Sequence, residues 1–145
     1  MTTAAACVAL YNTQGGVLLL QRNANSYDGP GCWEVLGGLI DPGEEALTAA
    51  VRECWEEVEV RIDPAQVTFA ARFQGLTQTT KEPLDVQYFV APAPVGLQPQ
   101  DLVFNEGQQQ ARWIPLGPAP ALPLLVSLSA VWDDVQAAVR QRLAV

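Results

Sequence analysis

The chain contains no histidine. That excludes His general bases, His/Cys zinc sites and His-based triads. Positive charge is scarce: 8 Lys and Arg stand against 16 Asp and Glu, for a formal net charge of −8. Binding along a nucleic-acid backbone needs clustered Lys and Arg, so no nucleic-acid polymer is expected as a partner. A small phosphorylated ligand stays open, because a bound cation reverses the local field. Cysteine is limited to Cys7, Cys32 and Cys54, an odd number with no CxxC pair. Three core thiols in a reducing cytoplasm is the expectation. No stretch approaches the roughly 18 apolar residues of a membrane span. The first residues, MTTAAACVAL, lack the basic start and long apolar segment of a signal peptide.

What is present is a chain of 145 residues, 49% of them apolar, enough for one domain over residues 1–145 with a real core. Residues 5–11 and 17–22 read as strands, joined by the turn formers NTQGG. Residues 23–32 read as a loop, and 33–36 as a short strand running into Gly37 and Gly38. Asp41 fits a helix N-cap, with Pro42 first in the helix and Glu44 third. Leu47, Ala50, Val51, Cys54 and Val58 fall within a narrow arc, which predicts the buried stripe of a helix ending near Val58. Residues 67–74, 84–91 and 111–116 read as further strands. Leu124, Leu128, Val131, Val135, Val139 and Leu143 predict a final helix over about residues 124–143, packed on a sheet with help from Trp132. Strands early and late, with helices between and after, predict a mixed sheet covered on both faces.

The helix before Val58 carries Glu53, Glu56 and Glu57. On a helical wheel they cluster on the side opposite the buried stripe, three and four residues apart. Like charges placed together destabilise unless something positive sits among them. Mg²⁺ suits hard carboxylate oxygens and substrate phosphates, and Mn²⁺ also fits. Arg52 adjoins the cluster and can hold a carboxylate through its fork of donors, with Glu44 as a second partner. Gly37 and Gly38 allow close backbone approach or positive φ, and a carbonyl there can join a metal shell. The same residues taken alone also make an ordinary solvated acidic helix face.

In this arrangement the segment 38–60, GLIDPGEEALTAAVRECWEEVEV, resembles the Nudix hydrolase signature. That signature runs Gly, five residues, Glu, seven residues, Arg-Glu, an aliphatic residue, any residue, Glu-Glu, any residue, Gly and an aliphatic residue. Gly38, Glu44, Arg52, Glu53, Glu56, Glu57 and Val60 stand in register. Cys54 takes an aliphatic position, and Glu59 stands where the family usually has Gly. VLLLQR, WEVLGG and NEGQQQARWIPL extend the likeness over most of the chain.

The resemblance implies an α/β/α sandwich with a mixed sheet, and a metal-dependent hydrolase that breaks a phosphoanhydride of a nucleoside diphosphate linked to another group. It implies Glu53, Glu56 and Glu57 as metal ligands for Mg²⁺ or Mn²⁺, assisted by the Gly38 carbonyl, with Arg52 beside them. Glu53 or Glu56 is a candidate to take the water proton. Glu106 is the candidate outside the motif, since the family often places an acidic residue in the loop before the RW segment. Arg22 stands where the family often has an Arg facing the phosphates. Tyr27, Trp33, Phe73, Phe104 and Asn105 are candidates for a base pocket, because aromatics stack and Asn reads base edges.

Positions 76–78 are Leu, Thr and Gln, without the Tyr of the diadenosine polyphosphate branch, and the SQPWPFP-like run of the NADH branch is absent. The chain also begins almost directly with the core, without the added N-terminal strand region common in ADP-ribose hydrolases. The short build points to a MutT-like nucleoside triphosphate pyrophosphohydrolase. Its alternatives are a pyrophosphatase of nucleotide sugars, ADP-ribose or another nucleoside diphosphate derivative, and a non-catalytic nucleotide sensor, for which Glu59 speaks. The apolar last helix leaves monomer and homodimer both open.

Overall fold

The architecture was obtained as a computed structural model that describes residues 1–144. Strands β1 (Thr3–Tyr11), β2 (Gly16–Gln21), β3 (Trp33–Glu34) and β4 (Leu36–Leu39) precede helix α1 (Ala46–Val58). Strands β5 (Thr68–Leu76), β6 (Pro83–Pro92) and β7 (Ala111–Pro115) precede helix α2 (Val126–Leu143). They form one seven-stranded sheet in the order β3-β2-β1-β6-β5, with β4 beside β1 and β7 beside β2. The pairing of β1 with β6 is parallel and the rest antiparallel, so the sheet is mixed as expected.

Central β1 explains the layering. Its side chains alternate between faces. Ala6, Val8 and Leu10 face α1, while Cys7, Ala9 and Tyr11 face α2. Burial on both sides turns the strand into a nearly continuous apolar run rather than an alternating one. Val8 and Leu10 are fully buried, and such a side chain contributes roughly 2 kcal/mol on leaving water. Early β1 pairs with β4, through Ala5↔Leu39 to Val8↔Leu36, and its end pairs with β2 at Tyr11↔Val17.

Two helix boundaries differ from expectation. Asp41 does not cap α1. Gly43 has φ 79°, and the Glu44 N–H donates to the Asp41 carbonyl at 3.0 Å. Pro then Gly at the centre of such a turn is type II chemistry, which cannot continue as helix. The chain stays extended at Glu45 and α1 begins at Ala46. Glu44 still reaches back, accepting from the Asp41 N–H at 3.0 Å. At the other end α2 begins at Val126 rather than near residue 124. The Trp33 N–H donates to the Pro123 carbonyl and the Leu125 N–H to the Trp33 carbonyl, which holds residues 123–125 extended beside β3. Leu143 stays 36% exposed, outside the core stripe.

Candidate functional site

Glycines decide where the glutamates of α1 go. Helix α1 packs on the sheet through Ala49, Ala50, Cys54 and Val58. Next to it lies β4, where Gly37 and Gly38 have no side chains. A Cβ at Gly38 would lie 2.5 Å from Cδ of Glu53, and one at Gly37 would lie 2.5 Å from the Ala6 carbonyl oxygen. Neither glycine has positive φ, so each is needed for close approach. The room they leave lets Glu53 and Glu57 tuck under the helix, each only 8% exposed. This corrects the expectation that all three glutamates lie opposite the buried stripe. Only Glu56 does, and it is exposed.

Glu57 is held from two sides. The Gly37 N–H donates to Oε1 at 2.6 Å, and Nε2 of Gln108 donates to Oε2 at 2.9 Å. Glu106, exposed on the loop before β7, completes a group whose carboxylate oxygens with Glu53 and Glu57 all lie within 4.8 Å of one another. Burial pushes the Glu57 carboxyl up to about 8, with Glu106 and Glu53 adding to the rise and the Gly37 N–H opposing it. Burial also raises Glu53, against the nearby Arg52 guanidinium. Crowded, desolvated carboxylates of this kind are relieved by a cation, and hard oxygen donors suit a divalent ion.

Arg52 organises the outer side of the helix. Its Nε and Nη2 donate to the two carboxylate oxygens of Glu44, both at 2.9 Å. Its Nη1 donates to Glu53 at 3.0 Å and to Glu56 at 2.8 Å, and Nη2 also reaches the Leu39 carbonyl at 3.0 Å. The guanidinium holds the Glu44 carboxyl down at about 2.

A cavity of about 530 Å³ opens beside this cluster, within the range of small-ligand sites. Gly38, Glu53, Glu57 and Glu106 line one side, together with Arg22 and the rim residue Tyr27. Arg22 is steadied by a bond from Nε to the Asp28 carbonyl at 2.9 Å. Arg52 and Glu56 stay outside the cavity, behind Glu53. Phe104 packs against the α1-side core rather than lining the cavity, and Trp33 and Phe73 belong to the α2-side core. Asn105 is committed elsewhere, with its N–H bonded to the Glu57 carbonyl and its Nδ2 to the Glu56 carbonyl and to Glu59. The base pocket expected from these residues is therefore not assembled by Trp33, Phe73, Phe104 or Asn105.

Sequence reasoning missed Gln108 and Glu34. Glu34 is 7% exposed and lines the cavity away from α1. Burial pushes its carboxyl up to about 7, opposed by bonds from the Val35 N–H and the Tyr88 hydroxyl. A charged residue between Trp33 and Val35 in a buried strand was the available signal. For Gln108, within a run of glutamines, there was none.

Residues 1–131 match the NUDIX domain family model. The chain belongs to the Nudix family. The Nudix chain is 31% identical over 117 residues to an NAD-capped RNA hydrolase NudC of Stutzerimonas stutzeri, covering 81% of this chain and 38% of that one. It is 42% identical over 52 residues to a CTP pyrophosphohydrolase of Escherichia coli K12, covering 36% of this chain and 38% of that one. The chain thus spans about two-fifths of the length of these curated relatives. A MutT Nudix hydrolase structure from Burkholderia pseudomallei superposes with a TM-score of 0.76 at 20% identity, over 93% of this chain and 98% of that one, which shows the shared fold. Among the described residues no helix is long and apolar enough to cross a membrane.

Proposed function

We propose that this Nudix domain is a nucleoside triphosphate pyrophosphohydrolase, releasing a nucleoside monophosphate and pyrophosphate. The carrying observation is the Glu53, Glu57 and Glu106 cluster at the side of a cavity sized for one small ligand. The acidic balance of the chain disfavours a nucleic-acid polymer as substrate. Oxidised or otherwise non-standard nucleotides fall within the same class.

Glu53 and Glu57, with the Gly38 carbonyl, would hold Mg²⁺ or Mn²⁺ beside Glu106. When bound, such an ion neutralises phosphate oxygens and lowers the pKa of water at the reacting phosphorus. Arg52 fixes the rotamer of Glu53, while the Gly37 N–H and Gln108 fix Glu57. Glu56 rests on Arg52 and would join the ligands only by leaving it. Arg22 faces the phosphate chain. Glu106 is the exposed member of the cluster and takes the proton of the attacking water. Water oxygen bonds to phosphorus, the phosphoanhydride breaks, and pyrophosphate leaves. Glu59 leaves α1 with φ 58° and ψ 37°, the left-handed exit a glycine would make, which supports the enzyme over a non-catalytic sensor.

The second reading, cleavage of nucleotide sugars, ADP-ribose or another diphosphate-linked compound, draws on the NudC relative, whose name concerns an NAD cap. A panel of canonical and oxidised NTPs and dNTPs, ADP-ribose and nucleotide sugars, assayed with Mg²⁺ and then Mn²⁺, separates the readings. Monophosphate plus pyrophosphate from triphosphates is the expected result. Turnover confined to diphosphate-linked compounds moves the assignment to the second reading, and a silent panel sinks both.

A further inference from the structure

The cavity wall also carries an acidic group, Glu34, that the phosphate chemistry does not use. Oε1 of Glu34 accepts from the Val35 N–H at 2.8 Å, and Oε2 accepts from the Tyr88 hydroxyl at 2.8 Å. The Tyr88 hydroxyl lies 2.8 Å from Oγ of Ser127, so Ser127 can donate to Tyr88 while Tyr88 donates to Glu34. A carboxylate offers about four acceptor positions, and this one uses two of them. Among the described residues no Lys or Arg pairs with Glu34. Arg22 lines the same cavity and its charge favours the ionised form of Glu34 without forming an ion pair with it. A buried carboxylate with spare acceptor capacity and no directly bonded cation is costly unless a donor arrives.

The surroundings say where that donor comes from. In the sheet Cys7 lies between Gly37, which holds Glu57, and Tyr88, which holds Glu34. The backbones of Gly37 and Tyr88 are therefore two strand spacings apart, about 10 Å. Glu57 and Glu34 line the same cavity, so a ligand with its phosphates beside Glu57 would have Glu34 within the space left for its other end. That end is walled before any ligand binds. The Thr79 N–H donates to Oδ1 of Asp28 at 2.7 Å, and the Gly29 N–H to Oγ1 of Thr79 at 3.0 Å. Oε1 of Gln78 accepts from the Val126 N–H at 2.8 Å. These bonds join the loop before β3, the β5–β6 turn and the start of α2. The floor is kept low by Ala5 and Cys7, and Leu84 and Val86 make it apolar.

We propose that Glu34 is the specificity-determining residue of this site, accepting N–H donors from a nucleobase that carries an exocyclic amino group. This rests on the pyrophosphohydrolase reading and adds the class of base. Cytosine is preferred to uracil and guanine to hypoxanthine, because the keto or unsubstituted counterpart leaves the carboxylate without its donor.

The test pairs CTP with UTP and GTP with ITP in Mg²⁺ kinetics, for the wild type and Glu34→Gln. Calorimetry of CMP, UMP, GMP and IMP in EDTA runs beside it, on protein whose folding is checked by thermal unfolding. The wild type is expected to prefer the amino-bearing member of each pair by about tenfold or more, mainly through KM. Glu34→Gln, with a donor in place of one acceptor, should bring the pairs within about threefold, the change falling mainly on KM for the amino-bearing member. Ser127→Ala, which unseats only the far end of the relay, should narrow the preference in part and serves if Glu34→Gln does not fold. Equal use of both members by the wild type, or a preference that survives Glu34→Gln, overturns the proposal. If no triphosphate is hydrolysed, the pyrophosphohydrolase reading fails while monophosphate binding still decides Glu34: preference supports it and indifference overturns it.

Discussion

Asn105 holds Glu59 in place, its Nδ2 donating to Oε2 of Glu59 at 3.1 Å. Glu59 sits in the left-handed region at φ 58°, where most L-residues are strained by roughly 1–2 kcal/mol. Its N–H still closes the helix on the Trp55 carbonyl at 2.9 Å, and the Val60 N–H reaches the Cys54 carbonyl at 3.4 Å. The exit a glycine would make is thus kept by a glutamate tied to the neighbouring loop. Glu59→Gly relieves the strain but loses the exposed bond and loosens the unfolded chain. A net gain of about 0.5 kcal/mol is expected, read as a small rise in the denaturant midpoint with activity unchanged. A fall in both would mean that the Asn105 tie matters more than the strain.

Stability without metal should fall as pH rises. The folded carboxyls of Glu57, at about 8, and Glu34, at about 7, lie above the ordinary 4.5. Between those values the folded state binds more protons than the unfolded one, so the free energy of unfolding declines with pH. The window runs from about pH 4.5 to 8, with a slope of at most about 1.4 kcal/mol per pH unit for each group. In EDTA, thermal midpoints are expected to drop from pH 5.5 to 8. Mg²⁺ should restore more of the loss at pH 8, where the carboxylates it binds are ionised in its absence. A flat EDTA profile would show that Glu57 is ionised without help.

Arg52→Lys keeps the charge and removes the fork. A single ammonium cannot bond both oxygens of Glu44 while also reaching Glu53 and Glu56. Glu53 then loses its orienting partner on the side away from the cavity. Activity is expected to fall about 10- to 100-fold, with a raised Mg²⁺ requirement, as for other groups that orient metal ligands. Mg²⁺ titration of kcat/KM checks it. An unchanged Mg²⁺ dependence would place Arg52 in stability alone.

Local pattern made the strands and the family legible. The alternation of 84–91 and the apolar run of β1 are properties of short segments, and the signature glutamates carry their own spacing. The start of α1 is not legible locally, because Asp41, Pro42 and Glu44 suit a helix cap while Gly43 lets the same residues close a turn. The burial of Glu53 and Glu57 depends on β4 pairing with β1, a long-range contact that a helical wheel of α1 does not contain. Glu34 became part of a site only through Tyr88 and Ser127, 54 and 39 residues apart from their respective partners. Asn105 looks free to read a base in the sequence because its bonds to the end of α1 arise only in the folded chain.

The two glycines of β4 should fail differently. A Cβ at Gly37 meets fixed backbone, with the Ala6 carbonyl oxygen at 2.5 Å and Cα of Cys7 at 2.6 Å. These atoms belong to the central strand and cannot retreat without disturbing the sheet. Gly37→Ala is expected to destabilise the protein by about 2 kcal/mol or more, in the range of overpacked cores. A Cβ at Gly38 instead meets Cδ of Glu53 at 2.5 Å, the end of a side chain. Glu53 can rotate away, so Gly38→Ala should lower stability by about 1 kcal/mol or less. The movement takes Glu53 from Arg52 and from the cluster with Glu57 and Glu106, so activity should drop about 100-fold or more. Denaturant unfolding beside kcat/KM at saturating Mg²⁺ separates the two effects. A Gly38→Ala protein with full activity would remove Glu53 from the reacting centre.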